Sequence, residues 1–374
     1  MPLRLFILGL LLLATLTTGC RSVPTPSAAP PISTSEASTS GPLQFLGEHI
    51  VPNGLQVEGT VVGGRSGLDR APDGTWFFLS DDRAERGPAR FYTATLHLTS
   101  DSLAVQFTGM VPLQQPDGTP FPEFGVDPEA IRYDTARNAV VWTSEGDIRN
   151  GLDPFVRRAT LRGSHIATFP LLARFRAGGG PRNNGVFEGL SQGSDDTFWL
   201  ATELPLTQDG PAPTPTPAET PIRLTLLDEA DGTARAQYAY HLDAVAAAPN
   251  PSDGFAVNGV TEILALDGQR LLVLERSFSI GQGNTVRLYL ADITGATDVL
   301  GHDALSREPY TPVTKHLLLD FADLPLRLVD NLEGLAYGPD LPDGRRTLVL
   351  VSDNNFNPLQ ITQVIALALD VKAL

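Results

Sequence analysis

Short apolar runs separated by turns dominate the chain from residue 42 to residue 374. The runs are rich in valine, leucine, threonine and aromatic residues, and glycine, proline and aspartate lie between them. Such runs, bounded by turn residues, predict β-strands, and long helical patterns are absent. The pattern therefore predicts an all-β domain over residues 42–374.

Two kinds of run recur in pairs along this domain. The first starts with a polar position, and its copies centre on Ser66, Glu129, Glu188, Glu262 and Glu333. The second is a strongly apolar run that ends in an acid, at Asp81, Glu145, Glu203, Glu275 and Asp353. The intervals from the first to the second are 15, 16, 15, 13 and 20 residues, and the longest contains the turn segment PDLPDGRR. The chain therefore contains five copies of one unit.

A third and a fourth run complete each unit, except that the fifth copy ends before its fourth run. The segment PLQFLGEHIV (42–51) stands at the opposite end of the domain and can supply that missing strand. Five four-stranded units in a ring form a β-propeller, and closure by the first strand removes exposed sheet edges. We predict five blades closed in this way; a divergent sixth blade and a β-sandwich with chance similarity are the alternatives.

The third unit contains two further features. Residues 207–221 (TQDGPAPTPTPAETP) predict a proline-rich surface insertion between its second and third strands. Gly189-Leu190-Ser191-Gln192-Gly193 matches the G-x-S-x-G pattern of a serine-hydrolase nucleophile elbow. An elbow serine needs a strand-to-helix turn, whereas Ser191 precedes an Asp-Asp turn between two strands. The recurring feature of the units is the glutamate, so we do not predict Ser191 as a nucleophile.

The repeated acids would meet at one mouth of the propeller, because the start of one strand and the end of its antiparallel neighbour lie at the same end of a blade. Like charges so close need compensation from arginines, amides or a cation. Oxygen ligands favour calcium, whereas zinc would need the histidine or cysteine that these motifs lack. A purely structural role, in pairing with arginine or accepting backbone N–H bonds, is the alternative for each acid.

Candidate roles follow from this arrangement. We predict catalytic roles for Glu129, Glu188, Glu333 and Arg276. We predict calcium ligands at Asp81, Glu145, Glu203, Glu262, Glu275 and Asp353. We predict ligand-binding residues at Arg83, Arg182, Asn184, Asn331 and Asn354.

The composition narrows the possible ligands. The chain has 43 acidic and 27 basic residues and a formal charge of −16. This argues against nucleic acid, which needs a basic surface. The six histidines are scattered and none pairs at metal-ligand spacing.

The first 41 residues have a different character from the rest. Arg4 precedes the apolar segment LFILGLLLLATL (5–16), and Cys20, the single cysteine, follows it. Such a segment is typical of a signal peptide, and we predict residues 1–20 as one that ends in a lipoprotein-type cysteine; an ordinary secreted protein is the alternative. Residues 21–41, rich in proline, serine and threonine, predict a disordered tether. We therefore expect export to the bacterial envelope, with membrane attachment through a lipid anchor only.

The motifs VGGRSGLD, WFFLSDDRAERGPARFY, NNGVFEGL, LATE, LLVLER and DNLEGLAYGP, in this order over roughly residues 58–370, resemble the bacterial family called "esterase-like activity of phytase", or phytase-like domain. The resemblance implies ester or phosphoester hydrolysis on a propeller. It supplies no agreed catalytic residues. DPEAIRYD departs from the pattern in having Ala130 where glycine is commoner.

Three functions remain open at this stage. The first is a metal-assisted phosphoester hydrolase, in which calcium held by carboxylates neutralises a phosphate. The second is a non-catalytic propeller that binds a carbohydrate, a peptide or a partner protein; a polyhydroxylated small molecule would also suit the mouth. The third is a serine esterase through Ser191 or Ser66. Oligomeric state, substrate and metal identity are left open.

Overall fold

The computed structural model describes residues 41–99 and 102–374. The predicted signal peptide, Cys20 and all but the last residue of the predicted tether lie outside the described residues. Within these ranges no helix is both long enough and apolar enough to cross a membrane.

The described residues form five four-stranded antiparallel sheets. From the innermost strand outwards, the first blade comprises β4 (Leu68–Arg70), β5 (Trp76–Ser80), β6 (Arg90–Leu98) and β7 (Leu103–Pro112). The second comprises β8 (Pro128–Asp134), β9 (Ala139–Ser144), β10 (Phe155–Thr160) and β11 (His165–Thr168). The third comprises β12 (Phe187–Gln192), β13 (Thr197–Thr202), β14 (Pro221–Asp228) and β15 (Ala234–His241). The fourth comprises β16 (Ala256–Ala265), β17 (Arg270–Ser279), β18 (Gly283–Asp292) and β19 (Thr314–Asp320). The fifth comprises β20 (Leu332–Tyr337), β21 (Arg346–Ser352), β22 (Thr362–Leu369) and β1 (Leu43–Val51).

The remaining elements are short. A two-stranded hairpin, β2 (Gln56–Val57) and β3 (Thr60–Val61), leads into the first blade. Single 3₁₀ turns lie at Ile148–Asn150, Ala173–Phe175, Phe321–Asp323 and Val371–Ala373.

The blades form a closed ring, because each innermost strand contacts the innermost strands of the two neighbouring blades, and β20 contacts β4. The first strand closes the ring by pairing antiparallel to β22 from Leu43 opposite Leu369 to Val51 opposite Thr362. The predictions of a five-bladed propeller and of closure by the N-terminal strand are confirmed.

Burial explains why the second strands are so apolar. Every residue of β5, β9 and β13 is buried, because both faces of a blade pack against neighbouring blades. The outermost strands reach solvent, and in β11 half-buried residues alternate with exposed ones. The hydrophobic cores therefore lie between blades and leave the axis of the ring to polar side chains.

A buried ion pair fills the axis. Arg132 donates to the carbonyl oxygens of Leu68 and Leu335, at 2.6 and 2.9 Å, and so joins β8 to the first and fifth blades. Its Nη2 lies 2.6 Å from Oε2 of Glu262 in the fourth blade. The other carboxylate oxygen of Glu262 accepts a hydrogen bond from the backbone N–H of Leu190 in the third blade, at 2.8 Å. This axial ion pair ties all five blades together.

Candidate functional site

A cavity of about 940 Å³ opens at the end of the ring where the innermost strands begin. Among the described residues, nine acidic side chains and four arginines line it, together with asparagines and three phenylalanines. A strongly acidic concave surface is a candidate cation site.

Three glutamates of the innermost strands enter the cavity at irregularities of strand pairing. Phe187 pairs with Thr202 and Gly189 with Ala201, so Glu188 has no partner on β13. Glu333 is left over in the same way between Leu332 and Gly334, and Glu129 lies in the corresponding shift of β8. A bulge of this kind re-aims a side chain. The three carboxylates are 6 to 7% exposed, at the floor of the cavity.

A second group of acids follows directly after the second strands. Asp81, Glu145, Glu203 and Asp353 come one residue after the last residues of β5, β9, β13 and β21. Oε2 of Glu145 accepts hydrogen bonds from the backbone N–H groups of Gly185 and Val186, at 2.7 and 3.1 Å. These bonds fix one oxygen of Glu145 and leave the other available to a ligand.

The fourth blade departs from the other four. Val260 pairs with Glu275 and Glu262 with Leu274, so Thr261 takes the position that Glu188 has in the third blade. By the same register Arg276 takes the position of Glu203. The alignment of the fourth repeat in the sequence analysis was therefore wrong by one residue. The ring of acids is therefore interrupted at the fourth blade, where the guanidinium of Arg276 takes the place of a carboxylate.

This shift places Glu262 and Glu275 outside the cavity. Glu262 belongs to the axial ion pair. Glu275 lies between the third and fourth blades, where it accepts hydrogen bonds from the Tyr240 hydroxyl and from Nζ of Lys315, both at 2.6 Å. The structure does not bring either of these predicted metal ligands together with the other acids.

Carboxylate oxygens converge at two points on the cavity floor. Oxygens of Asp81, Asp127 and Glu129 lie within 4.8 Å of one another, and so do oxygens of Glu129, Glu145 and Glu188. Each triad could hold a metal ion, and Glu129 is common to both. All ligands are hard oxygen donors, a set that fits calcium, and the open side of the cavity leaves coordination positions for water or a bound molecule.

Burial and mutual repulsion raise the pKa values of these acids. Burial, then the neighbouring Glu188, raises the pKa of Glu129 well above its usual range. Burial, then Asp127, raises the pKa of Glu145 to about 8. Burial raises the pKa of Asp127 to about 6, against the opposing effect of Arg83. Without a cation the floor of the cavity therefore retains protons near neutral pH.

Arginines supply part of the compensation. Nη2 of Arg276 lies 3.5 Å from Glu203 and 3.4 Å from Glu333, and burial, which would lower its pKa, is outweighed by these carboxylates. Arg83 pairs with Asp127 at 3.3 Å, on the side of the first triad. Because the contacts of Arg276 are long and its Nε has no hydrogen-bond partner, this guanidinium can still bind an anion.

Sequence comparison decides the family. The sequence profile described as "Phytase-like: Esterase-like activity of phytase" matches residues 60–356, which includes every cavity residue described above. The chain belongs to the Phytase-like family. No curated protein sequence matches it significantly.

Several solved structures match this Phytase-like propeller over most of its length. A hypothetical protein from Leishmania major is 11% identical, with 85% of this chain and 90% of that chain covered and a TM-score of 0.40. A GH43 β-1,3-galactosidase with galactodeoxynojirimycin is 10% identical, with 87% and 96% covered and a TM-score of 0.44. An α-L-arabinofuranosidase from Podospora anserina in complex with cellotriose is 10% identical, with 84% and 94% covered and a TM-score of 0.40.

The predicted ligand-binding residues of the Phytase-like domain divide into two groups. Arg83, Asn184 and Asn331 line the cavity. Arg182 instead donates to the carbonyl oxygens of Pro205 and Gly210, and so holds the loop after β13. Asn354 accepts hydrogen bonds from the backbone N–H groups of Gly64 and Phe356, and so fixes the cavity edge without facing the cavity.

Sequence reasoning missed two residues of the site. Asp127, a member of the first triad, lies two residues before Glu129, as Asn331 lies two residues before Glu333. Alignment of the second and fifth repeats could have found it. Phe356 lines the cavity and has a φ of 51°, and a Cβ atom on Gly64 would approach its ring to 2.5 Å. The paired glycines of VGGRSG therefore make room for this ring.

Ser191 lies outside the cavity on the other side of the axial ion pair. It is fully buried, its Oγ donates to the carbonyl oxygen of Gln192, and the same Oγ accepts from the backbone N–H of Ala265. These bonds give the serine a structural function. By strand register, Leu264 takes the position of Ser191 in the fourth blade.

Proposed function

We propose that this Phytase-like propeller is a calcium-dependent phosphoester hydrolase. The proposal rests on the two carboxylate triads that share Glu129. They lie in the cavity to which the fourth blade contributes Arg276. Phosphate transfer needs cations to neutralise the phosphoryl oxygens, and the site combines a place for cations with a fixed guanidinium.

The triads would hold the metal ion. Asp81, Asp127 and Glu129 form one oxygen set, and Glu129, Glu145 and Glu188 form the other. When bound there, calcium would supply the positive charge that reverses the acidic field of the cavity and would activate water. Arg83 restrains the first triad through Asp127.

The other polar residues would bind and protonate the phosphoester. Arg276 would pair with the phosphoryl oxygens, because its guanidinium keeps its charge and its donors are incompletely used. Glu333 accepts a hydrogen bond from Nδ2 of Asn331 at 2.8 Å, which fixes its carboxyl group. Burial, then Asp353, raises the pKa of Glu333 well above its usual range, so Glu333 can hold a proton for the leaving oxygen.

The test is phosphate release from p-nitrophenyl phosphate and from phytate, with calcium and with EDTA. We expect release from p-nitrophenyl phosphate only with calcium, and a loss of at least a hundredfold in Glu188→Gln and in Arg276→Gln. Glu308→Gln, whose side chain is 46% exposed on a distant loop, is the matched control and should retain activity.

Two results would refute the hydrolase. Release that EDTA does not affect would exclude the metal. Absence of release by a folded protein that binds calcium would favour a non-catalytic propeller that binds a small polyhydroxylated molecule or a partner at the same cavity.

We also propose that the protein is attached to the bacterial cell envelope. The support is the signal-peptide pattern of residues 1–20, which ends in Cys20, followed by the proline- and serine-rich segment to residue 41. This segment would act as a spacer between a lipid anchor and the propeller.

A further inference from the structure

The fourth blade extends farther over the cavity than its neighbours. β16 and β17 each contain 10 residues, whereas β12 and β13 of the third blade each contain 6. β13 ends at Thr202, which corresponds to Glu275, but β17 continues for four more residues to Ser279. The additional residues of this hairpin form a wall at the cavity mouth.

The wall is apolar. Phe255, Val257 and Phe278 line the cavity, and Val257 pairs with Phe278 across the two strands. The rings of Phe255 and Phe278 lie 6.3 Å apart between centroids, and Phe255 is 62% exposed. Phe255 exposes most of its ring to a cavity lined mainly by polar side chains, and such an exposed apolar surface is typical of a binding site.

The wall begins next to Arg276. Residues 276 and 278 lie on the same face of β17, since side chains alternate along a strand, and two residues span about 7 Å. A phosphate on the guanidinium of Arg276 would therefore place the next few carbon atoms of its ester against the ring of Phe278. Phe255 continues the same surface outwards.

A third aromatic side chain faces this cavity from the fifth blade. Phe356 packs on Gly63 and Gly64, where added Cβ atoms would come within 2.7 and 2.5 Å of its ring. The guanidinium of Arg86 lies 4.9 Å from the centre of the ring. These contacts hold the ring of Phe356 in place. The fourth and fifth blades therefore both contribute phenylalanines to the cavity.

These side chains favour one class of substrate. The aromatic residues that line the cavity, in the described part of the chain, are phenylalanines without the hydroxyl or indole N–H that a polyol would use. An inositol polyphosphate would press further charged groups against the apolar wall, which costs free energy. A phosphate monoester of an aromatic or aliphatic alcohol has one charged end and one apolar end, and so complements both parts of the cavity.

We propose that the wall formed by Phe255, Val257 and Phe278 binds the apolar organic group of a phosphate monoester whose phosphate lies at Arg276. This inference rests on the proposed function. It assigns the fourth blade to substrate selection, whereas the other blades supply the acids.

The experiment measures binding of phenylphosphonate and methylphosphonate to the calcium-loaded protein by calorimetry, since neither is hydrolysed. Burial of about 55 Å² of apolar surface predicts about tenfold tighter binding of the phenyl compound. Phe255→Ala and Phe278→Ala should each reduce this preference at least threefold and leave the affinity for methylphosphonate unchanged. Leu317→Ala, 53% exposed on the outer strand of the same blade, is the control and should keep the preference.

The outcomes separate the two proposals. Equal affinity for both phosphonates in the unaltered protein would overturn the inference even if phosphate esters are hydrolysed. A phenyl preference that depends on Phe255 and Phe278, without hydrolysis of any ester, would support the inference and refute the hydrolase. Failure of both phosphonates to bind would overturn the inference, because anchoring at Arg276 is part of it.

Discussion

The axial ion pair allows a quantitative prediction of stability. Arg132 is 1% exposed, and besides Glu262 it contacts carbonyl oxygens of four innermost strands at 2.6 to 3.3 Å. Arg132→Met would remove these donors and leave Glu262 buried with two backbone N–H groups as partners. Because a buried charge loses its counter-ion, we expect the free energy of unfolding to fall by about 3–5 kcal/mol.

The size of this effect can be checked from its parts. Two unit charges 4 Å apart attract by about 4 kcal/mol at an effective dielectric constant near 20. Each hydrogen bond to a carbonyl adds roughly 0.5–1.5 kcal/mol, and the desolvation of the arginine, which Met does not need, offsets part of the sum. In Arg132→Met/Glu262→Gln no charge remains buried at the axis, so the double variant should be more stable than Arg132→Met alone.

The assay is urea unfolding followed by tryptophan fluorescence, since all three tryptophans are buried. Arg137→Met is the control, because Arg137 pairs with Glu229 but its side chain is 35% exposed, and its loss should cost less than about 1 kcal/mol. A loss below 1 kcal/mol in Arg132→Met, or a double variant no more stable than it, would refute the assignment of the axial pair as the link between blades.

Four other predictions concern the cavity, the buried serine and the anchor. Without calcium, the melting temperature should fall from pH 5 to pH 8, and calcium should raise it most at pH 8. The reason is that burial raises the pKa of Glu145 to about 8, so the folded state holds a proton that the unfolded state has lost. Glu145 alone then lowers the free energy of unfolding by about 1.4 kcal/mol per pH unit in this window, and a flat profile would contradict this. Gly259→Ala places a Cβ atom 2.5 Å from Cγ of Glu203, the carboxylate that pairs with Arg276, so phosphatase activity should fall while calcium affinity stays unchanged; unchanged activity would exclude the effect. Ser191→Ala should keep phosphatase activity, and the unaltered protein should not react with a fluorophosphonate probe. Labelling of Ser191 would support the serine-esterase alternative. Cys20→Ser should abolish incorporation of radioactive palmitate, and persistent labelling would contradict the anchor.

The fold could be predicted from the sequence because propeller blades repeat both their apolar runs and their spacing. The second strands are buried on both faces, so they stand out as apolar runs even without an alignment. The fifth repeat lacks a fourth run, and residues 42–51 are the remaining run of suitable length, so they could be assigned as its missing strand. Blade number and closure thus depend on features that each strand carries locally.

The site was predicted less completely, and the fourth repeat shows why. Side chains alternate along a strand, so a slip of one residue exchanges the two faces. Alignment on the identity of Glu262 and Glu275 gave an interval of 13 residues, whereas Thr261 and Arg276 are 15 residues apart, as in the first and third repeats. Spacing indicated the register better than residue identity did, but only the strand pairing decides it.

Because the fourth blade differs from the other four, the cavity has one side that differs chemically from the rest. Five equivalent blades would surround the axis with like charges, and a ligand could bind in any of five orientations. Thr261 and Arg276 replace two acids on one side only, and the longer hairpin places Phe278 next to that cation. A molecule with one anionic and one apolar end then has a single favourable orientation, with its charge between Arg276 and the carboxylate triads. The repeat supplies the fold and the cation-binding floor, and the blade that departs from the repeat supplies selectivity.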